Sequence, residues 1–334
     1  MKRKMILTGV SALLMILVPY FCAAQAGVEN SSLNPSQIAL LHWYGANQTA
    51  TFQVLADYGI TFDGANIWVT SNYTYSIRKL QASDGAILGT FPLTYEPFGG
   101  LAFDGSNIWI ANWGSTVTKL RATDGACNGV VNPPNTTACT FFAGDGPYDM
   151  AFDGANIWVG NLGGNTVTKL RASDGALLAS YPAGNGPRVV AFDGTNIWVA
   201  NSGSASVSKL RPSDGVILGT FAVGTNPDAL AFDGTNIWVA NWASSNVTKL
   251  RASDGTNLGT YSVGSYPDGV AFDGANIWVS SVGTCETCNG GVTKLRAADG
   301  ANLGTFPVGL HPNGVAFDGA NIWVTNENNT LSKL

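Results

Sequence analysis

Charged side chains are scarce in this chain. Of 334 residues only 12% are Asp, Glu, Lys or Arg, with 17 basic against 22 acidic. A chain so short of positive charge excludes a polyanion such as nucleic acid as its partner. Histidine occurs twice, at His42 and His311. There is no Gly-rich phosphate loop and no nucleophile elbow, so two common catalytic chemistries have no foothold. The 41 glycines follow no three-residue period, which excludes collagen and points instead to many tight turns.

The first 26 residues differ from the rest. Lys2, Arg3 and Lys4 precede an apolar run from Met5 to Cys22, and Ala24-Gln25-Ala26 gives a small-x-small site. This pattern predicts an export signal cleaved after Ala26 and a secreted or periplasmic protein. The alternatives are a retained membrane anchor, since the run nearly spans a bilayer, and a lipoprotein at Cys22, which the bulky Tyr20 and Phe21 oppose. Cleavage removes three basic residues and no acid. The mature chain then carries 14 basic against 22 acidic residues, a net charge of −8 in place of −5. No membrane span remains, and a monomer is expected.

The organising feature is repetition. Phe-Asp-Gly recurs at Phe62, Phe103, Phe152, Phe192, Phe232, Phe272 and Phe317, each followed by x-Asn-Ile-Trp. The tryptophans, from Trp68 to Trp323, are spaced 41, 49, 40, 40, 40 and 45 residues apart. A Lys-Leu pair follows each, and in six repeats an Asp-Gly then leads into a segment like Leu-Gly-Thr-Phe. In the fifth repeat this reads as strands Asp228 to Asp233, Asn236 to Asn241, Val247 to Ala252 and Leu258 to Val263. Asp233-Gly234 is expected to form a type I′ turn. Four short antiparallel strands in 40 residues make one propeller blade. The fold class is therefore all-β: a seven-bladed β-propeller with four antiparallel strands per blade. An open β-solenoid is the alternative, but its repeats are usually shorter.

The last repeat stops at Leu334, after its third strand. Ala50 to Val54 reads like Gly304 to Val308. The N-terminal strand is thus expected to complete the last blade and close the ring. The domains are 1–26 (signal), 27–48 (an extension that suits a short helix over Pro35 to Tyr44) and 49–334 (propeller).

The motif Pro-x-Gly-Val-Ala-Phe-Asp-Gly-Ala-Asn-Ile-Trp-Val-Ala-Asn resembles the YVTN, NHL and streptogramin-lyase-like group of propellers over about residues 49 to 334. That resemblance implies the fold. For function it leaves two classes, a binding module and a lyase. The lyases are associated with a catalytic His near an acid and a Mg²⁺-binding Glu. No Glu-x-His occurs here, and only His311 is available as a weak catalytic candidate. The alternative function is therefore a C–O lyase using a divalent metal.

Repetition separates blade residues from site residues. Thirteen of 18 aspartates lie in the two Asp-Gly turns, and among basic residues only Arg78 and Arg188 leave the pattern. The leftover acids gather where strands B and C, and strands D and A, are joined. Binding is expected on that loop-built face. Where strand A begins, the blades offer Tyr58, Gly99, Tyr148, Arg188, Asp228, Asp268 and Asn313. Asp228, Asp268 and Asn313 come from consecutive blades, and their oxygens suit Ca²⁺ or Mg²⁺. Trp113 and Trp242 follow strand B on the same face and suit a carbohydrate-like ligand or a protein partner. The bland alternatives are solvated loop acids and aromatics that cover neighbouring loops. Cys127 and Cys139 bracket an insertion and are expected to form a disulfide. Cys285 and Cys288 are expected to form a local one, with redox or zinc roles as alternatives.

Overall fold

The computed structural model describes residues 49–56, 58–127, 139–284 and 289–334. The signal, the extension, Asp57 and the pair Cys285 and Cys288 lie outside the described residues. Among those described, 28 strands, β1 to β28 in chain order, form seven four-stranded antiparallel sheets. This is the seven-bladed β-propeller with almost no helix. Blade five is β18 (Pro227–Phe232), β19 (Asn236–Asn241), β20 (Asn246–Arg251) and β21 (Asn257–Ser262), paired in that order as strands A to D. Blade seven is β26 (Pro312–Phe317), β27 (Ile322–Asn326) and β28 (Thr330–Lys333), with β1 (Ala50–Gln53) as its fourth strand. Ala50 pairs with Lys333 and Gln53 with Thr330.

Each repeated residue has a physical task. Asp233 precedes the A–B turn, and its Oδ1 accepts the amides of Thr235 and Asn236. Its Oδ2 accepts the Trp238 Nε1 hydrogen at 2.7 Å. Of the two central turn residues only Gly234 has positive φ, at +91°. That corresponds to a II′ pattern with Gly first, not the expected I′ with Asp-Gly in the centre. The Asp side chain takes the amide hydrogen that a main-chain carbonyl would otherwise accept.

Strand B alternates its apolar side chains between the two faces of the sheet. Trp198 and Val207 of blade four pack on Ile237, Val239 and Leu250 of blade five. Seven such clusters join the seven blades, including Trp323 of blade seven against Ile67, Val69 and Leu80 of blade one. Six of the seven repeat tryptophans are fully buried, the seventh being Trp278 at 8% exposure. Each Trp ring also meets an aromatic ring from strand D of its own blade, such as Trp198 and Phe221 at 5.6 Å.

The template lysine bridges blades. Lys209 Nζ lies 5.2 Å from the Trp198 ring centroid and donates to the carbonyls of Ala252 and Ser253 at 2.6 and 3.1 Å. Those carbonyls belong to the C–D turn of the next blade. The charge is thus spent on main-chain acceptors and a π face. Cys127 and Cys139 are joined in a disulfide with Cα atoms 5.3 Å apart.

Candidate functional site

The strands A of neighbouring blades contact one another and line a central channel. Six of the seven open with a proline whose missing N–H needs no partner, the exception being β2 (Ile60–Phe62) of blade one. Directly after it the pairing slips. In blade five Pro227 faces Asn241 and Ala229 faces Ala240, so Asp228 is an extra, bulged residue. The same slip falls at Tyr148 and at Arg188. A bulge re-aims a side chain away from the alternating pattern. Here it turns the residues that differ between blades towards the axis, and the sheets below keep their shared register.

The result is a cavity of about 160 Å³ at the end of the channel where the B–C and D–A loops lie. Tyr58, Tyr148, Asp149, Asp228, Asp268 and Asn313 line it, together with glycines and the apolar Ile60, Leu101, Val189, Leu230, Val270 and Val315. Arg188 Nη1 lies 2.5 Å from Asp228 Oδ1. The contact is a buried ion pair, and neither Asp228 oxygen has a further hydrogen-bond partner. Arg188 also donates to the Tyr148 hydroxyl, and its guanidinium carbon lies 4.4 Å from the Tyr148 ring centroid. The Asp228 side chain is 1% exposed and that of Arg188 21%.

The electrostatics follow from that crowding. Burial, with Asp268 adding, pushes Asp228 up to about 8 despite Arg188 beside it. Burial pushes Asp149 up to about 7, opposed by the amides of Met150 and Val190. Burial pushes Asp268 up to about 6, with Arg188 opposing and Glu327 adding. Burial also raises the Tyr148 hydroxyl above its ordinary value. For Arg188 burial works downwards, but Tyr148, Asp228 and Asp268 outweigh it and its value rises. Asp149 and Asp268 keep a path to solvent along the channel, although protein encloses them on the other sides.

Asp228, Asp268 and Asn313, the expected cation ligands, thus share one cavity. The positive charge facing Asp228 is the Arg188 guanidinium. Among the described residues no three His, Cys, Asp or Glu side chains gather as metal ligands. Asn313 is buried, and its carbonyl accepts from the Ser280 hydroxyl at 2.5 Å.

The aromatics extend the site outward. Trp113, 60% exposed, meets Phe98 edge-on at 4.2 Å. Phe98 meets Tyr148 at 5.7 Å. Trp242 lies against Tyr266 at 4.5 Å. Trp113 therefore reaches the mouth through Phe98, whereas Trp242 pairs with a neighbouring loop.

Two features go beyond the sequence reading, which counts Asp149 and Glu327 among the leftover acids of the loop face but gives neither a partner nor a place in the mouth. Asp149 follows the bulge in blade three, where other blades carry Gly59, Gly100, Val189, Ala229, Gly269 and Gly314. The same comparison of blades exposes it, applied one residue further along. The second is the partner of His311. Its Nδ1 is 2.7 Å from Glu327 Oε2, a pairing made by the D–A and B–C loops of one face. His311 and Tyr266 have φ of +45° and +56° at the position where Gly146 and Gly186 stand in other blades. Bulky residues there are strained, and strain gathers at functional sites.

No protein-family model matches the chain, and no curated protein matches it. Among solved structures, a streptogramin B lyase structure is 17% identical, with a TM-score of 0.67, covering 86% of this chain and 96% of that one. The Kuenenia stuttgartiensis hydrazine synthase is 17% identical, with a TM-score of 0.70, covering 86% of this chain and 97% of that one. These likenesses place the chain among β-propeller repeat proteins and carry the fold alone. Among the described residues no helix is long and apolar enough to cross a membrane.

Proposed function

We propose that this chain is an exported propeller of the YVTN, NHL and streptogramin-lyase-like group that binds a ligand at the axial mouth of its loop face. Residues 1–26 serve as its signal and 27–48 as an extension before the ring. One observation carries the binding reading. The side chains that differ from blade to blade are bulged into a single cavity, and they bury the Asp228 carboxylate to 1% exposure with Arg188 as its one partner. Burying an ion pair is a costly way to hold a fold together, since desolvation offsets the attraction. The exposed Trp113 beside the mouth suits a carbohydrate-like or protein ligand.

A thermal-shift screen of carbohydrates and small metabolites tests this with the full chain. Hits are expected to vanish in a Trp113→Ala, Asp268→Asn variant and to persist in Arg171→Ala at the opposite face. Hits that depend on Arg171 and ignore the mouth would remove the reading.

A second reading is a C–O lyase, and the His311–Glu327 contact favours it. An imidazole oriented by a carboxylate can take up a proton. Elimination from a cyclic depsipeptide lactone by the wild-type chain, lost in His311→Ala, would support it. No elimination by the wild type would end it.

A further inference from the structure

We infer that the loops of blades one and two form an aromatic platform for a neutral oligosaccharide, with Trp113, Tyr73 and Tyr75 as its stacking rings. This rests on the loop face being the binding face and extends the site outward from the mouth.

Three loops meet around Glu96. They are the B–C turn of blade one (72–75), the D–A loop that leads into blade two (93–96) and the B–C turn of blade two (113–115). The Glu96 carbonyl accepts the Trp113 amide hydrogen at 2.8 Å, and its carboxylate accepts the Tyr75 hydroxyl at 3.3 Å. Tyr73 is 69% exposed, Trp113 60%, Tyr75 46% and Tyr95 41%. Phe98 meets the Trp113 ring at 4.2 Å with the two planes 79° apart. An edge-to-face contact covers at most one face of the indole, so the other is open to stack. Phe98 also meets Tyr148 of the cavity wall at 5.7 Å, which carries the platform into the mouth.

The blade template does not call for these rings. Where blade one has Tyr73, blades three, four and six have Gly163, Gly203 and Gly283. Tyr75 ends its turn at φ of +48°, in the left-handed region. The same position in other blades is Asn165 at +55°, Ala205 at +45°, Ser245 at +52° and Asn329 at +61°. Asparagine tolerates that backbone best, and a bulky ring there is strained. A ring set there against that cost, and left nearly half exposed, points to a use outside the blade.

The chemistry beside the rings selects the ligand. Among the described residues the exposed large aliphatic side chains, such as Ile87, Leu177 and Ile217, lie at or beside the start of a strand D, at the opposite end of the blade. The large hydrophobic side chains exposed on the loop face are all aromatic, and here they are set among Asn72, Thr74, Thr94 and Ser115. A protein interface needs an apolar core that excludes water. Rings spaced by hydroxyl and amide groups suit a pyranose, whose C–H face stacks while its hydroxyls form hydrogen bonds. Nucleobases stack on such rings too, but their phosphates need a basic groove. The one charged side chain in these three loops is Glu96, which also disfavours an acidic sugar.

The experiment is calorimetric titration of the full chain with the neutral hexamers cellohexaose, mannohexaose and chitohexaose, and with hexagalacturonate as the anionic counterpart. At least one neutral hexamer is expected to bind, and hexagalacturonate more weakly than that hexamer. Trp113→Ala should weaken binding by about tenfold, the loss of one stacked ring. It should also remove the blue shift of tryptophan emission that a covered Trp113 gives. Tyr75→Asn separates use from fold. Its melting temperature should equal or exceed that of the wild type, since asparagine suits the left-handed turn, while its affinity falls at least about threefold. Undiminished binding by both variants, tighter binding of hexagalacturonate, or no binding of any neutral hexamer at about 1 mM would overturn the inference. A displayed peptide library that yields Trp113-dependent binders while every hexamer fails would put a protein partner in the sugar's place. Hexamer binding that needs Trp113 and ignores Asp268→Asn would uphold the platform and count against the mouth. Failure of every hexamer beside a non-sugar hit at the mouth would overturn the platform and leave the mouth standing.

Discussion

Trp198 and Trp113 carry the same ring in opposite circumstances. Trp198 is fully buried between two blades, whereas Trp113 is 60% exposed on the loop face. Trp198→Ala is expected to cost about 3–5 kcal/mol, the usual range for a large buried ring. Trp113→Ala should stay within about 0.5 kcal/mol of wild type, as surface changes do. Urea unfolding of both variants measures the difference. At the mouth, removal of Asp228 leaves the buried Arg188 guanidinium without its partner and should cost about 3–5 kcal/mol. Arg188→Leu combined with Asp228→Leu should cost less than the two single changes summed, since neither charge is left alone. A double-mutant cycle reads that coupling.

The residue scale also shows what repetition reveals and what it hides. Tyr148, Arg188 and Asp228 were legible because each breaks a position that recurs seven times. Their convergence follows from the strand-A register. Their direction did not, because a bulge is a property of pairing geometry that the strand's own residues do not signal. The ion pair between Arg188 and Asp228 was hidden for the same reason. It joins blades, and 40 residues separate its members.

At the scale of one element, the turns hold the clearest contrast. Gly255 has φ of +77°, and a Cβ there would lie 2.0 Å from the Phe221 ring of the preceding blade. Gly234 has φ of +91° with nothing within 4 Å of its Cβ position. Gly234→Ala is expected to cost about 1–2 kcal/mol, for left-handed backbone alone. Gly255→Ala should cost more, because overpacking adds about 1–3 kcal/mol. Thermal unfolding of the pair separates strain from clash. The Asp-Gly signature marked both turns, but it assigned the Asp of the A–B turn to a central position. The reason is that the Asp carboxylate, by accepting amides and the indole hydrogen, moves the turn one residue on. The exposed Arg–Asp pairs beside the C–D turns, such as Arg211 and Asp214 at 3.0 Å, are solvent-screened and carry little stability.

Across the whole molecule, seven like interfaces enclose one unlike mouth. The seventh sheet takes its outer strand from the start of the chain, and Phe52 supplies the ring against Trp323 at 5.5 Å that Phe221 supplies against Trp198. The ring was legible because it follows from copies of a single blade. The mouth was legible as a place and not as a chemistry, since its properties arise where blades meet. Those properties have a global consequence. Asp149, Asp228 and Asp268 hold protons to about 7, 8 and 6, well above an unfolded Asp near 3.9. Over that interval the folded state binds more protons than the unfolded one, so stability falls as pH rises. The melting temperature is expected to decline from about pH 5 to pH 8, the reverse of a protein whose carboxylates are all well paired. Groups such as Asp153, held low by Trp158 and Asn156 against the pull of burial, act only below about pH 4.

The central claim is that the mouth carries charge the fold does not need. The direct test is the melting temperature at about pH 8 of a chain carrying Asp149→Asn and Asp268→Asn, against wild type. Neutral side chains remove a desolvation cost that ionised ones impose. A higher melting temperature in the variant is the expected result, and a lower one would contradict the claim.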